Sequence, residues 1–219
     1  MAKRPVFEAQ DTAPYVNRRD VEFQFFGGFS IQQKQRCIRS LHQNYKELLR
    51  QEGKTGRILE ISSKSENPLG VAMSAFNLQM TLNSGQKSSV ESIFQGSKVF
   101  EHGGPYTDLY GRPSIEAKRD PRIRESGNVV GFRCFSYDFP TEPRTFFYDW
   151  LYVNTLHQNT ALADQVTEYT AFTDIEFNPA KQINCQAEAA AIYVGLRRSG
   201  MLEKALESRD AFREIVFGR

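Results

Sequence analysis

The 219-residue sequence predicts one α+β domain, mainly α, with a few short strands. Three observations lead there. Apolar residues recur at helical spacing through several stretches of ten residues or more, whereas alternation with period two is confined to short runs. A hydrophobic fraction of 40% and an aromatic fraction of 12% suffice for one buried core at this length. No repeat, coiled coil or low-complexity tract interrupts the pattern.

Composition also excludes whole classes. No apolar run approaches the roughly 18 residues of a membrane span, and Met1-Ala2-Lys3-Arg4-Pro5 leads into polar residues rather than a secretory apolar region. Cys37, Cys134 and Cys185 are scattered without C-x-x-C spacing, and His42, His102 and His157 have no ligand spacing. Neither a zinc site nor a disulfide framework is therefore expected, and a reducing cytoplasmic setting fits best. The net charge of +2 does not announce a nucleic-acid binder by bulk electrostatics, so any such contact must be local.

In chain order, residues 1–20 are polar, are punctuated by Pro5 and Pro14, and read as an arm. Val21 to Phe26 reads as a short strand ended by Gly27-Gly28. Ser30 and Gln33 form a capping box that opens a helix with Ile31, Ile38, Leu41, Tyr45 and Leu48 as its inward stripe. Lys34 falls on that stripe. It is either a snorkelling side chain at the core edge or a desolvated amine able to act as a nucleophile. This arm, strand and helix make an amino-terminal extension, 1–56, packed on a core of 57–219.

The core begins with a strand over Arg57 to Ser62. Pro68-Leu69-Gly70 and a short segment from Met73 to Leu78 follow. Ser88 to Phe100 reads as a helix with a capping box from Ser88 to Glu91. On it Glu91, Gln95 and Lys98 are spaced i, i+4, i+7 and share one face, beside an apolar anchor of Val90, Ile93 and Phe94. That combination suits a pocket wall. Residues 101–115 are an irregular loop rich in Gly and Pro, and Ser114 to Arg119 a helical turn. Lys118, Arg119, Arg122 and Arg124 read either as a solvated surface or as phosphate contacts. Val129 to Phe135 is a strand, and a long helix starts near Thr145 with Phe146, Trp150, Val153 and Leu156 inward and Asp149 in its first turn. Phe172 to Pro179 is strand-like, with Asp174 and Glu176 on one side. An alanine-rich helix runs from about Asn184 to Gly200, and a last helix from Leu202 to Phe217.

The motifs P-L-G-x-A-M-S-A-F-N at 68–77, S-V-E-S-I-F-Q-G-S-K at 89–98 and A-K at 117–118 together resemble the NADAR (YbiA-like) family. The chain departs from that pattern with Ala75-Phe76-Asn77 where many members have Asn-Phe-Ala, and with Ser92 where histidine is common. Its amino-terminal G-F-S-x-x-Q-K, together with F-Y-D-W-L-Y and T-D-I-E-F-N-P, is similar to the subgroup associated with DarT-type DNA ADP-ribosyltransferase toxins. The resemblance implies a YbiA-like fold and an antitoxin that hydrolyses ADP-ribose from the guanine amino group in DNA; no cofactor is expected, and no metal either, since the histidines lack ligand spacing and the carboxylates are scattered. Its partners would be ADP-ribosylated DNA and a cognate DarT-type toxin. Glu91 is then the expected general acid/base and Lys34 the expected nucleophile, with Lys98 and Lys118 holding phosphates. Ser74, Asn77 and Gln95 would contact substrate, Phe76, Tyr106 or Trp150 would stack on a base, and Asp149 is a further polar candidate. Two alternatives are an N-glycosidase acting on a ribosylamino-pyrimidine phosphate and a non-catalytic ADP-ribose-binding antitoxin.

Overall fold

The computed structural model describes residues 1–218. Its elements are β1 (Ala2–Ala9), β2 (Val16–Phe23), α1 (Ile31–Gln51), β3 (Ile58–Glu60), α2 (Pro68–Ala72), β4 (Gln79–Thr81), β5 (Lys87–Ser89), α3 (Val90–Gly96) and β6 (Lys98–Phe100). There follow α4 (Ser114–Arg119), α5 (Arg122–Glu125), β7 (Val129–Cys134), β8 (Tyr137–Phe139), α6 (Phe146–Gln158), α7 (Thr160–Val166), β9 (Ala171–Thr173), α8 (Gln186–Arg198), α9 (Leu202–Leu206) and α10 (Arg209–Phe217). The fold is α+β and mainly helical, as the sequence predicts. Among the described residues no helix is long and apolar enough to cross a membrane.

The main sheet has the order β2-β1-β9-β3, with β1 antiparallel to both neighbours and β9 parallel to β3. Alternation splits its side chains into two layers. Val6, Val21, Phe23, Ile58 and Ala171 face Cys37, Ile38, Leu41 and Tyr45 of α1. Phe7, Leu59 and Phe172 face the larger core, which is built on α6 and α8. Ala187, Ala189, Ala190 and Ala191 are all fully buried, and their small side chains let α8 lie close to its neighbours. Gly70 has a comparable role at the other end of the sheet. A Cβ there would stand 1.9 Å from the Glu60 carbonyl oxygen, so only glycine lets α2 dock on the end of β3.

Several expectations are corrected. Residues 1–20 are not an arm: they form most of a hairpin whose first strand is interior to the sheet, because Val6 and Phe7 supply one buried residue to each face. The strand expected over 21–26 is Val16–Phe23. On α1, Ile31 is exposed, Leu48 only partly buried, and Cys37 and Leu49 complete the buried stripe. The helix expected over 88–100 is only Val90–Gly96, and Lys98–Phe100 pairs with β7 instead. Its cap is Ser89 rather than Ser88: Ser89 Oγ accepts the Ser92 amide, which leaves the Glu91 carboxylate free of any capping duty. The strand near 172 ends at Thr173, where Asp174 starts a turn, and the last helix is broken in two by Ser208, which caps α10. The capping box at Ser30 forms as expected.

Candidate functional site

The carboxyl ends of the parallel strands β3 and β9 open into a cavity of about 860 Å³. In open sheets this end of parallel strands is a recurrent ligand position, because the chain diverges there into loops. Gln186, in the first turn of α8, ties those loops together. Its Nε2 donates to the Ile61 carbonyl at 2.7 Å and to Asp174 Oδ2 at 2.9 Å, while its Oε1 accepts the Ala75 amide at 2.6 Å. One side chain thus fixes the ends of both strands and the loop carrying Ser74 and Phe76.

The opposite wall is α3. All of its residues are buried, and its Glu91 amide donates to the Ala75 carbonyl at 2.9 Å. On the face predicted from their spacing, Gln95 Nε2 donates to Glu91 Oε1 at 2.9 Å and Lys98 Nζ donates to Gln95 Oε1 at 2.7 Å. Lys118, from α4, approaches Glu91 Oε1 at 3.5 Å and lies over the Phe76 ring at 4.9 Å. The result is an unbroken carboxylate–amide–amine chain along one wall, with a second amine at its acidic end. Burial pushes the Lys98 ammonium down to about 8, against the opposing pull of the Glu91 charge, so a sizeable fraction of this amine is unprotonated near neutral pH.

The remaining predicted residues divide. Ser74 and Phe76 line the cavity. Asn77 turns away, donating to the Val71 carbonyl at 2.9 Å and bordering a separate cleft. The Tyr106 hydroxyl lies 2.5 Å from Ser126 Oγ, beneath the Arg122 guanidinium and outside the cavity. Trp150 packs on Phe139 in the aromatic core, with ring centroids 4.9 Å apart. Asp149 is fully buried behind the wall; burial and the nearby Glu188 charge hold its carboxyl well above the usual range. Lys34 is not among the lining residues. Its Nζ stands 4.0 Å from Oε1 of Glu176, which is one of them. The basic cluster does not act as one patch: Lys118 joins the site, whereas Arg122 is tied to Asp108 and Asp120.

Three participants lay outside the sequence-based candidates. Tyr148, adjacent to Asp149, is the α6 residue that reaches the cavity, meeting Phe94 edge-on at 5.2 Å. Asn184 lines the cavity with a buried Oδ1 that has no hydrogen-bond partner, and Ser74 Oγ is in the same condition. Buried polar atoms are rarely left unpaired, so these two fit acceptance of a polar ligand. The third is Asp174, whose Oδ1 accepts the amides of Glu176 and Phe177.

Asp174 is pushed up to about 8 by burial first and by the Glu60 charge second. Glu60 is itself raised by burial, while accepting from Thr173 Oγ1 at 2.6 Å and from the Ile175 amide at 2.8 Å. An unfolded aspartate releases its proton near 4, so between about pH 4 and 8 the folded state binds more protons and stability falls as pH rises. Glu60→Gln removes one acid, and the Thr173 hydroxyl can turn to accept from the new amide. The variant is expected to match the parent at pH 5 and to exceed it at pH 8 by about 1–3 kcal/mol, a gain of several degrees in Tm. Circular dichroism melts at the two pH values check this, and parallel Tm curves would refute it.

Among the described residues no cluster of three or more His, Cys, Asp or Glu could hold a metal ion. The cavity instead presents the cations Lys64, Lys98, Lys118, Arg144 and Lys181 around the carboxyls of Glu91, Glu142, Asp174 and Glu176. Such a lining suits an anionic ligand undergoing proton transfer. No curated protein matches the chain. The family model described as "DarT1-associated NADAR antitoxin" matches residues 2–219. A match over that span, on a fold whose cavity is walled by the motif residues, establishes the assignment: the chain belongs to the DarT1-associated NADAR antitoxin family.

Proposed function

We propose that the protein is an N-glycosidase that removes ADP-ribose from the amino group of guanine in DNA, thereby reversing the action of a DarT-type toxin. The observation that carries this reading is the Glu91–Gln95–Lys98 chain on one wall of a cation-rich cavity. Breaking a bond between an anomeric carbon and an exocyclic aromatic nitrogen requires a proton for the leaving nitrogen and electrons for the carbon. Glu91 supplies the proton. An amine supplies the electrons: its Nζ bonds to the anomeric carbon as the glycosidic C–N bond breaks. Ring opening then gives a protonated Schiff base, and water hydrolyses it to free ADP-ribose and the original amine.

Lys98 is the amine we favour, because it borders the cavity, is joined to Glu91 through Gln95, and has its proton affinity lowered by burial. Lys34 is the second candidate, supported by its approach to Glu176 at the cavity. Lys118 is better suited to neutralising a phosphate, because its side chain is exposed at the rim while Lys98 is largely buried.

Incubated without added metal, the purified protein is expected to release ADP-ribose from a guanine-modified oligonucleotide and to leave unmodified guanine, as read by mass spectrometry. Unchanged substrate in the presence of folded protein would reject the reading. Tight binding of the modified strand without release would point to the non-catalytic antitoxin.

A further inference from the structure

A second cleft, of about 450 Å³, adjoins the main cavity, and the two share Arg144, Phe177, Lys181, Gln182 and Ile183. Three cations meet in it from distant parts of the chain: Arg18 from β2, Arg144 from the approach to α6, and Lys181 from the loop between β9 and α8. Among the described residues neither Arg144 nor Lys181 has a carboxylate within 4.0 Å. Arg18 contacts Asp20 at 3.2 Å, with both side chains about half exposed, and such a pair is worth little and is easily exchanged for a better anion. The acid in the cleft is Glu188, which burial pushes up to about 6 against the lowering influence of Arg18. Even with Glu188 ionised the cations outnumber it by three to one.

We propose that this cleft holds a backbone phosphodiester of the strand that carries the modified nucleotide. The inference rests on the reading above and deepens it: the strand next to the modified nucleotide has a site of its own, separate from the cavity that holds the ADP-ribosyl group. Size and charge both argue for it. A cavity of about 860 Å³ is already at the upper end for a whole small-molecule ligand, so the contiguous cationic extension suits a further anionic group on the substrate. With a net charge of only +2, the chain has to concentrate its affinity for a phosphate backbone, and unpaired arginine beside the reacting cavity does so. A phosphodiester presents two equivalent oxygens and one permanent charge, a match for the planar guanidinium fork.

The test is Arg18→Ala, since Arg18 borders the smaller cleft and not the main cavity. Against a guanine-modified oligonucleotide, kcat/KM should fall about 5- to 30-fold, mainly through KM, and the dependence on salt should flatten by about one unit of log–log slope. Against the same modified guanosine as a free nucleoside the rate should not change, and Arg18→Lys should recover most of the loss on the oligonucleotide. An equal loss on both substrates would overturn the proposal by assigning the cleft to the ADP-ribosyl group itself; no loss on either would overturn it outright. Should the unaltered protein cleave neither substrate, the functional reading fails separately. Fluorescence anisotropy with an unmodified oligonucleotide then decides on the cleft: weaker binding by Arg18→Ala supports it, and equal binding refutes it.

Discussion

Glu91→Gln is expected to lower kcat for release of ADP-ribose by about 10²–10⁴-fold, the usual contribution of a positioned acid or base, while KM stays near that of the parent. The geometry explains why the loss should fall on kcat. Glu91 Oε1 accepts from Gln95 and approaches Lys118, and a glutamine oxygen at that position keeps both contacts while carrying no transferable proton. Because Ser89 performs the capping, the substitution leaves the cap intact and removes only one first-turn charge, so Tm should stay within a few degrees. Stopped assays with Tm measured in parallel separate the effects. A variant retaining kcat within about three-fold of the parent would remove Glu91 from the chemistry.

The second large effect concerns Lys98. With its ammonium pushed down to about 8, roughly a tenth of Lys98 is the free amine at pH 7, against about one part in three thousand for an ordinary lysine near 10.5. Attack needs the free amine and departure needs the proton that Glu91 carries, so the amine titration shows by itself where that acid is removed: in Glu91→Gln the residual kcat/KM should climb with pH, gaining about tenfold per unit below 8 and levelling above it. Lys98→Met should reduce turnover by about 10³-fold or more, and borohydride added during turnover should trap an adduct on Lys98 in the parent and none in the variant. An adduct on Lys34 would move the nucleophile to the amino-terminal helix, and a Glu91→Gln profile flat from pH 6 upward would remove the amine titration altogether.

How much of this was legible in the sequence differs by element. Glu91, Gln95 and Lys98 were read from spacing alone, since a helix forces i, i+4 and i+7 onto one face whatever surrounds it. The cap is ambiguous in sequence because two serines precede the same helix, and only the backbone decides which of them stops being strand. Residues of α6 were harder to sort. Phe146 through Val153 are all buried, so periodicity carries no information about which side meets the cavity, and the open side proves to be Tyr148 rather than Asp149 or Trp150. Asp174 looks strand-like in sequence because it continues an alternating run, yet its side chain accepts two following amides and turns the chain. The position of β1 was hidden for a different reason. A polar-looking segment with two prolines becomes interior by pairing with residues 171–172, and no local signal reports a partner so distant.

That pairing bears on how the protein is made. Strand β1 has its second neighbour, β9, some 160 residues downstream, and in this sheet β3 joins only through β9. The sheet, and the cavity at its end, therefore close late in synthesis, after a loop-closure cost that local helices do not incur. Until then Val6, Phe7, Ile58 and Leu59 have no complete layer to cover them. Chains that stop short of β9 would carry the motif residues of α3 without a site, so translation past β9, rather than translation of the motif, sets when protection against the toxin can begin.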